Sequence, residues 1–201
     1  MNSKYAIIKV VLAVVIIVLA YLLYESIMRP VRFNAATAAR EDKVIARLMD
    51  LRTSQLFFKR EHNRFTGSFD TLITFLKKGE IPVIKMIPDP NDTTFTKSIS
   101  DTLGYINVGD SLFSKRPNFT IDSLRYIPYS NGDLFELGAG EIDRGGIKVS
   151  VYEIKAPYKA YMKGLDRQLV TNLTKSKEDI DRYPGLKVGS MEEPSTDGNW
   201  E

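Results

Sequence analysis

Few residues in this chain could carry out chemistry. It contains 1 His and 0 Cys, which excludes disulfides, thiolate zinc sites and a cysteine nucleophile. The single histidine, His62, stands where we expect a helix to end, a position that suits an imidazole for structural reasons. The glycine-rich stretch GAGEIDRGG at 138–146 connects two predicted strands, whereas a phosphate-binding loop leads into a helix. The sequence therefore predicts a non-enzymatic protein with no cofactor and no metal.

A second chemical signal is a recurring tripeptide of Asp, then Ser or Thr, then an apolar residue or Thr. It places five candidate hydroxyls at Thr71, Thr93, Thr102, Ser111 and Ser123. Asp and Ser both suit turns and helix caps, so local structure is one interpretation. The other interpretation is modification, because the pattern resembles an O-glycosylation sequon that some Gram-negative bacteria use on periplasmic proteins. Both stay open, and the second predicts a domain outside the cytoplasm.

Basic residues follow one face of an amphipathic helix predicted between residues 35 and 62. The other face is apolar at helical spacing, and it consists of Val44, Ile45, Leu48, Leu51, Leu56, Phe57 and Phe58. This pattern predicts a half-buried helix that covers a sheet, and its alternatives are a membrane-surface helix or a coiled coil. Four basic residues form a candidate interaction face for anionic headgroups or an acidic partner, namely Arg40, Lys43, Arg47 and Arg52.

A stretch that could cross a membrane precedes this helix. The sequence YAIIKVVLAVVIIVLAYLLY at 5–24 would reach about 30 Å as a helix, the thickness of the hydrocarbon layer. Lys9 is its one charge, and the amine can extend to the headgroups. The stretch is longer than the core of a usual signal peptide, and no small-x-small cleavage site follows it directly. We therefore predict a retained anchor that contacts the lipid bilayer through residues 5–24.

Two signals disagree about the side of the membrane. More basic residues follow the span than precede it, which favours a cytoplasmic domain by the positive-inside rule. The glycosylation interpretation favours the opposite side. Because it reports exposure directly, we give it precedence over a margin of one or two charges. The prediction is a single-pass inner-membrane protein with its C-terminal domain in the periplasm.

Helix-ending residues define the first half of the remaining fold. Pro30 is expected to end the membrane helix, and Asn34 to cap the helix that follows it. Ser68 and Gly79 are expected to bound a short helix over 69–78. Two strands are predicted after it, in IPVIKMI and in LGYINV.

The second half predicts an antiparallel meander and a C-terminal helix. FTIDSLRYIPY, LFELGAGEI and IKVSVYEIKAP are the three predicted strands, joined by turns at SNGD and DRGG. A helix is predicted from about residue 158 to 181. The fold class is thus α+β, divided into a tail and transmembrane anchor over 1–29, a domain over 30–189 and a polar tail over 190–201, where Trp200 could dock.

The order of elements resembles the type IV pilin and pseudopilin family. The resemblance is densest between Gln55 and Leu72, and it also involves Phe57, Phe58, Asn63, Phe65 and Ser68. It implies a long N-terminal helix whose second half packs on an antiparallel sheet. The chain departs from the family in lacking the Gly–aromatic processing site and the early acidic residue, which argues against peptidase cleavage and filament assembly. The whole chain is also similar to an uncharacterised family of single-span Gram-negative envelope proteins.

These features predict an interaction protein. Charge is nearly balanced, with 28 Lys+Arg against 25 Asp+Glu, which argues against a nucleic-acid surface. The expected function is protein–protein interaction within an envelope assembly or secretion complex, with partners that the sequence does not name. The alternative is an anchored module that binds glycan or cell-wall polymer through exposed aromatic residues, for which the candidates are Tyr126, Tyr129 and Tyr152.

Overall fold

A computed structural model describes residues 2–88, 98–116 and 119–201 of the chain. It combines helices with two antiparallel sheets. In chain order the helices are α1 (Asn2–His62), α2 (Phe69–Lys78), α3 (Val108–Phe113), a 3-10 helix (Ile121–Arg125), α4 (Tyr158–Tyr161) and α5 (Arg167–Glu178). The strands are β1 (Glu80–Pro88), β2 (Ser98–Asn107), β3 (Glu136–Arg144), β4 (Ile147–Pro157) and β5 (Gly185–Ser190).

One helix, α1, runs unbroken for 61 residues. Between Ile7 and Tyr24 its large apolar side chains each keep 45–68% of their surface exposed. A helix that is apolar on every side is stable only within a membrane or a partner, and this one is long and apolar enough to span a bilayer.

The prediction that Pro30 ends the membrane helix is wrong, because α1 passes through it. Proline removes a single bond of the helical ladder, the one to the carbonyl of Ser26. The apolar stretch specifies helix on one side, and the packed stripe from Val44 onwards specifies it on the other. Both segments therefore outweigh the local preference of proline, and the helix predicted to start near Asn34 is the continuation of α1.

The buried side-chain amide of Gln55 holds the chain segment that follows α1. Asn63 adopts a left-handed backbone (φ 55°) and turns the chain. The side chain of Gln55 then donates to the carbonyl of Thr66 (2.7 Å) and accepts from its amide (3.1 Å). Ser68 caps α2 by accepting from Thr71, and Gly79 follows its last turn, as predicted.

The predicted meander is correct for two of its three strands. β3 and β4 pair antiparallel around Gly145–Gly146, but the third strand of this sheet is β5, on the other side of β4. FTIDSLRYIPY instead forms the 3-10 helix and a single bridge from Tyr126 to Leu134. Ser123 explains this local turn, since its hydroxyl and amide both bond to the carbonyl of Thr120. The two strands predicted in IPVIKMI and LGYINV are present in β1 and β2, and they pair antiparallel in a separate two-stranded sheet, a pairing that was not predicted from the sequence.

The predicted C-terminal helix is broken. Gly164 takes φ +81°, which separates α4 from α5, and Asp166 starts α5 by accepting from the amides of Gln168 and Leu169. The residues predicted as a polar tail return along β5, where Asn199 donates its amide to the carbonyl of Lys187. Trp200 packs partly buried against the core.

The core lies between the second half of α1 and the sheet β3-β4-β5. Val44, Leu48 and Leu51 of α1 are fully buried. They belong to one cluster with side chains of the sheet and of α2, among them Tyr152, Ile154, Val188, Leu72 and Leu76. The predicted packing of the amphipathic helix on an antiparallel sheet is therefore present.

Candidate interaction site

Two of the four predicted interaction residues bind the domain itself. Arg40 donates to the backbone carbonyls of Tyr161 and Lys163, both at 2.8 Å. Arg52 forms an ion pair with Glu201 at 2.8 Å and donates to the carbonyl of Thr196. These guanidinium groups hold the C-terminal half of the domain against α1. The four residues thus do not form one free row of charge.

The other two, Lys43 and Arg47, line a groove beside α1. We define this cationic–aromatic groove by Lys43, Arg47, Arg116, Phe119 and Tyr129, and its volume is about 360 Å³. Asp50 and Pro128 complete its wall. The groove brings together a stretch of α1, Arg116 with Phe119, and the turn after the 3-10 helix, which are far apart in sequence.

Arg47 forms the inner side of the groove. Its guanidinium donates to the carbonyl of Ser123 and, at 2.9 Å, to the Ser123 hydroxyl. Burial lowers the pKa of Arg47, while the charge of Asp50 works in the opposite direction. An arginine keeps its proton under these conditions. Arg47 therefore supplies a fixed positive charge that is held in place by the 3-10 helix.

Arg116 forms the outer side, and Asp50 orients it. The two side chains make an ion pair at 2.6 Å, with Asp50 almost completely buried on α1. The hydrogen bond to Asp50 raises the pKa of Arg116. About half of the Arg116 side chain stays exposed, so part of its five-donor fork remains accessible to a ligand.

Aromatic rings lie under the cations. The Phe119 ring centre is 5.4 Å from the Arg47 guanidinium and 5.8 Å from that of Arg116. Tyr129 lies 5.2 Å from the guanidinium of Arg40. Such cation–ring contacts are attractive and fix the plane of each guanidinium. Among the described lining residues, three cations with one carboxylate, on Asp50, give a net charge of +2, which suits carboxylates of a partner.

The aromatic residues proposed for glycan binding do not form one patch. Tyr126 and Tyr129 are half-exposed. The prediction for Tyr152 is wrong, because this side chain is fully buried with its ring 4.4 Å from that of Phe65. Burial raises the pKa of Tyr152 to about 12. Alternation along the strand places Tyr152 on the core side, and strand alternation alone does not show which side is covered.

The candidate modification sites differ in their surroundings. Thr71, in the first turn of α2, and Ser111, in α3, are exposed. The hydroxyl of Ser123 is already bonded, as donor to Thr120 and as acceptor from Arg47. Thr102 lies in β2, and Thr93 lies outside the described residues. Modification of any of them remains a prediction.

His62 has structural contacts. Its ring stacks on Phe58 with centres 4.2 Å apart and meets the edge of Phe75 at 5.4 Å. Within residues 2–88, 98–116 and 119–201, no group of three or more acidic or histidine side chains is placed to hold a metal ion.

Sequence reasoning missed Arg116 and Phe119. They follow a region with a weak structural pattern, and Arg116 meets Asp50 across 66 positions. Only folding brings these residues to α1.

Comparison of the chain with family models, curated proteins and solved structures returns no match.

Proposed function

We propose that the protein is a non-enzymatic, single-span inner-membrane protein whose pilin-like domain lies in the periplasm and binds protein partners of an envelope assembly or secretion complex. The observation that supports this most is the continuity of α1. The same helix supplies the apolar segment at 7–24 and the buried stripe at 44–58. A domain built on its own anchor keeps a fixed orientation to the bilayer, which suits a protein that presents a binding surface.

The cationic–aromatic groove is the proposed contact surface. Two of its three positive charges come from side chains with fixed positions, since Asp50 holds Arg116 and the 3-10 helix holds Arg47. Preorganised guanidinium groups bind carboxylates in pairs of hydrogen bonds and lose little conformational freedom in doing so. The partner is therefore an acidic protein segment.

Photocrosslinking in native membranes tests this function. A benzoylphenylalanine at Ala46, an exposed position that lines the groove, should crosslink to one protein through a segment rich in Asp and Glu. Lys43 is exposed and makes no hydrogen bond within the described residues, so Lys43→Glu should abolish the crosslink without unfolding the domain. Arg60→Glu, an equal charge change at an exposed position of the same helix, is the matched control. A crosslink that survives Lys43→Glu, or that maps to a segment without acidic residues, contradicts the proposal.

The intact mass of the membrane-extracted protein tests the location. The encoded mass plus sugar increments supports a retained anchor and a periplasmic domain. The encoded mass alone removes the glycosylation argument and returns the decision to the charges that flank the span. Loss of the N-terminal segment contradicts the anchor.

A further inference from the structure

If residues 5–24 span the bilayer as proposed, the distance of other residues from the membrane can be estimated along α1. Arg29 lies five residues beyond Tyr24, which is about 7.5 Å along a helix. The headgroup layer is roughly 5–7 Å thick on each side of the hydrocarbon. Arg29 forms an ion pair with Asp166 at 2.5 Å. The start of α5 therefore lies at the outer edge of the headgroups.

From the contact between Arg29 and Asp166, α5 extends alongside α1 and away from the bilayer. Its first end is fixed at Arg29 by Asp166. Near its other end, Lys177 lines one groove together with Glu41 of α1. The two helices advance by similar numbers of residues between these contacts, so they run in the same direction. An outward face of α5 thus extends from the headgroups into the aqueous space.

A second groove lies along this face. It is about 580 Å³ in volume and lies between α4 and α5, and we call it the α5 groove. Its floor is apolar, with Met162, Leu165 and Val170. Three exposed cations border it, namely Lys159, Arg167 and Lys175. None of these three forms an ion pair with a described residue, and Glu178 is the one acidic side chain of the described lining.

The two grooves meet at Lys163. This residue lines the α5 groove, and its backbone carbonyl accepts from Arg40, whose guanidinium covers the ring of Tyr129 in the cationic–aromatic groove. The Lys163 amine bonds to Asp133 and to the carbonyl of Ser130, next to Tyr129. The two grooves therefore adjoin, and basic side chains outnumber acidic ones along the surface from Arg167 to Arg47, with Lys163 paired to Asp133 between them.

We propose that this surface binds the acidic juxtamembrane segment of a second membrane-spanning protein, an inference that rests on the proposed function and specifies its partner. The height between Arg29 and Arg47 is 18 residues of α1, or about 27 Å. An extended segment covers that height in about eight residues. The lower end of the surface meets the headgroups, so a segment that emerges from the membrane beside α1 reaches the whole surface without crossing open solvent.

Anchoring of the partner in the same membrane also explains how weak ion pairs are sufficient for binding. Individual exposed ion pairs contribute little in water. Two chains confined to one bilayer have a high effective concentration, which raises the occupancy of a weak site. The apolar floor adds a contact for side chains that alternate with the acidic ones.

Energy transfer in phosphatidylcholine vesicles tests the inference. The chain has 0 Cys, so Asn172→Cys on α5 accepts one donor dye outside the groove lining. The probe peptide is an apolar span of about 20 residues followed by alternating Glu and Ser, with an acceptor dye at its end. We expect transfer from this peptide, little from the same peptide with Gln in place of Glu, and weak binding of the acidic part without its span.

Two charge variants give the discriminating comparison. Lys159→Gln/Arg167→Gln/Lys175→Gln should weaken the binding of the anchored acidic peptide by about tenfold. The control Arg60→Gln/Lys78→Gln/Lys148→Gln removes the same charge at exposed positions elsewhere and should leave binding within about twofold. Equal binding by the two variants overturns the inference, and so does displacement of the peptide by vesicles that contain phosphatidylglycerol, since the lipid is then the occupant.

Flotation of the labelled vesicles separates this result from failure of the proposed function. A chain that does not float with the vesicles has no membrane anchor, and the proposed function fails with it. A chain that floats but shows no transfer from the acidic peptide contradicts the inference alone.

Discussion

Arg29 and Asp166, 137 positions apart in the chain, form an ion pair at 2.5 Å. Asp166 is also the N-cap of α5 and accepts from the amides of Gln168 and Leu169 at 3.0 and 3.2 Å. One carboxylate therefore joins the start of α5 to α1. Chiefly because of the hydrogen bond from Arg29, the pKa of Asp166 lies below its ordinary value.

The first prediction concerns this titration. Arg29→Gln should raise the pKa of Asp166 towards the ordinary value, because the largest cause of its depression is then absent. Arg32→Gln is the matched control, since Arg32 pairs with Glu25 instead. Carbon-detected NMR titration of the aspartate carboxyl groups in detergent micelles measures both. An equal upward shift in the two variants contradicts the pairing of Arg29 with Asp166.

A second prediction concerns the buried amide of Gln55. Gln55→Ala leaves the amide and the carbonyl of Thr66 buried without their partners. Each unsatisfied buried group costs about 1–3 kcal/mol, so we expect a loss of roughly 2–4 kcal/mol in the free energy of unfolding. Gln168→Ala, at an exposed position, should change it by less than about 0.5 kcal/mol. Urea unfolding followed by circular dichroism measures both variants, and similar losses in the two would rule out a special role for Gln55.

Local signals predicted the parts of the fold that local chemistry determines. Ser68 and Gly79 bound α2 as predicted, and the Gly145–Gly146 turn joins β3 to β4. Each depends on a few neighbouring residues with well-defined backbone preferences. The apolar composition of residues 5–24 likewise predicted the exposed apolar segment of α1.

The errors arose where tertiary contacts outweigh local preference. Pro30 does not end α1, because the segments on both sides specify helix. β5 was missed, since GLKVGS is short and its pairing with β4 spans the whole of α4 and α5. The cationic–aromatic groove could be predicted only for Lys43 and Arg47. Its other half depends on the contact between Asp50 and Arg116, which no spacing in the sequence indicates.

A third prediction concerns acid stability. Glu153 is almost buried between Lys155 and Lys187, at 2.6 and 3.0 Å. Burial works to raise the pKa of Glu153, but the hydrogen bonds from the two lysines outweigh it, and the pKa lies below its ordinary value. A depressed pKa means that the ionised carboxylate stabilises the fold. This stabilisation is complete above the unfolded-state pKa of about 4.3 and is lost as the pH falls through the lower folded-state pKa.

Glu153→Gln should therefore be less stable than the wild type at pH 7, and the difference should shrink as the pH falls below the pKa of the folded carboxyl. Glu192→Gln, at an exposed position, is the control and should show no such dependence. Urea unfolding at a series of pH values measures the difference in free energy. A difference that stays constant down to acidic pH would show that Glu153 does not act through its charge.

The fourth prediction concerns Gly189, where β5 meets the C-terminal segment. It adopts φ +76°, and a Cβ there would collide with the carbonyl oxygen of Tyr152 on β4. Its amide also donates to the carbonyl of Asp197 at 2.9 Å, so the backbone has little freedom to shift. Gly189→Ala should destabilise the domain by about 2 kcal/mol or more, through left-handed strain and the collision.

Gly104 in β2 is the matched control for this substitution. A Cβ there meets nothing within 4 Å, and its backbone is not left-handed. Gly104→Ala should leave the free energy of unfolding unchanged or raise it by up to about 1 kcal/mol, since it restricts the unfolded chain. Because the C-terminal segment depends on Gly189, we also expect Gly189→Ala to expose Trp200 to solvent and shift its fluorescence to longer wavelength. An unshifted emission with an unchanged urea midpoint would mean that β5 and the C-terminal segment are not held together at Gly189.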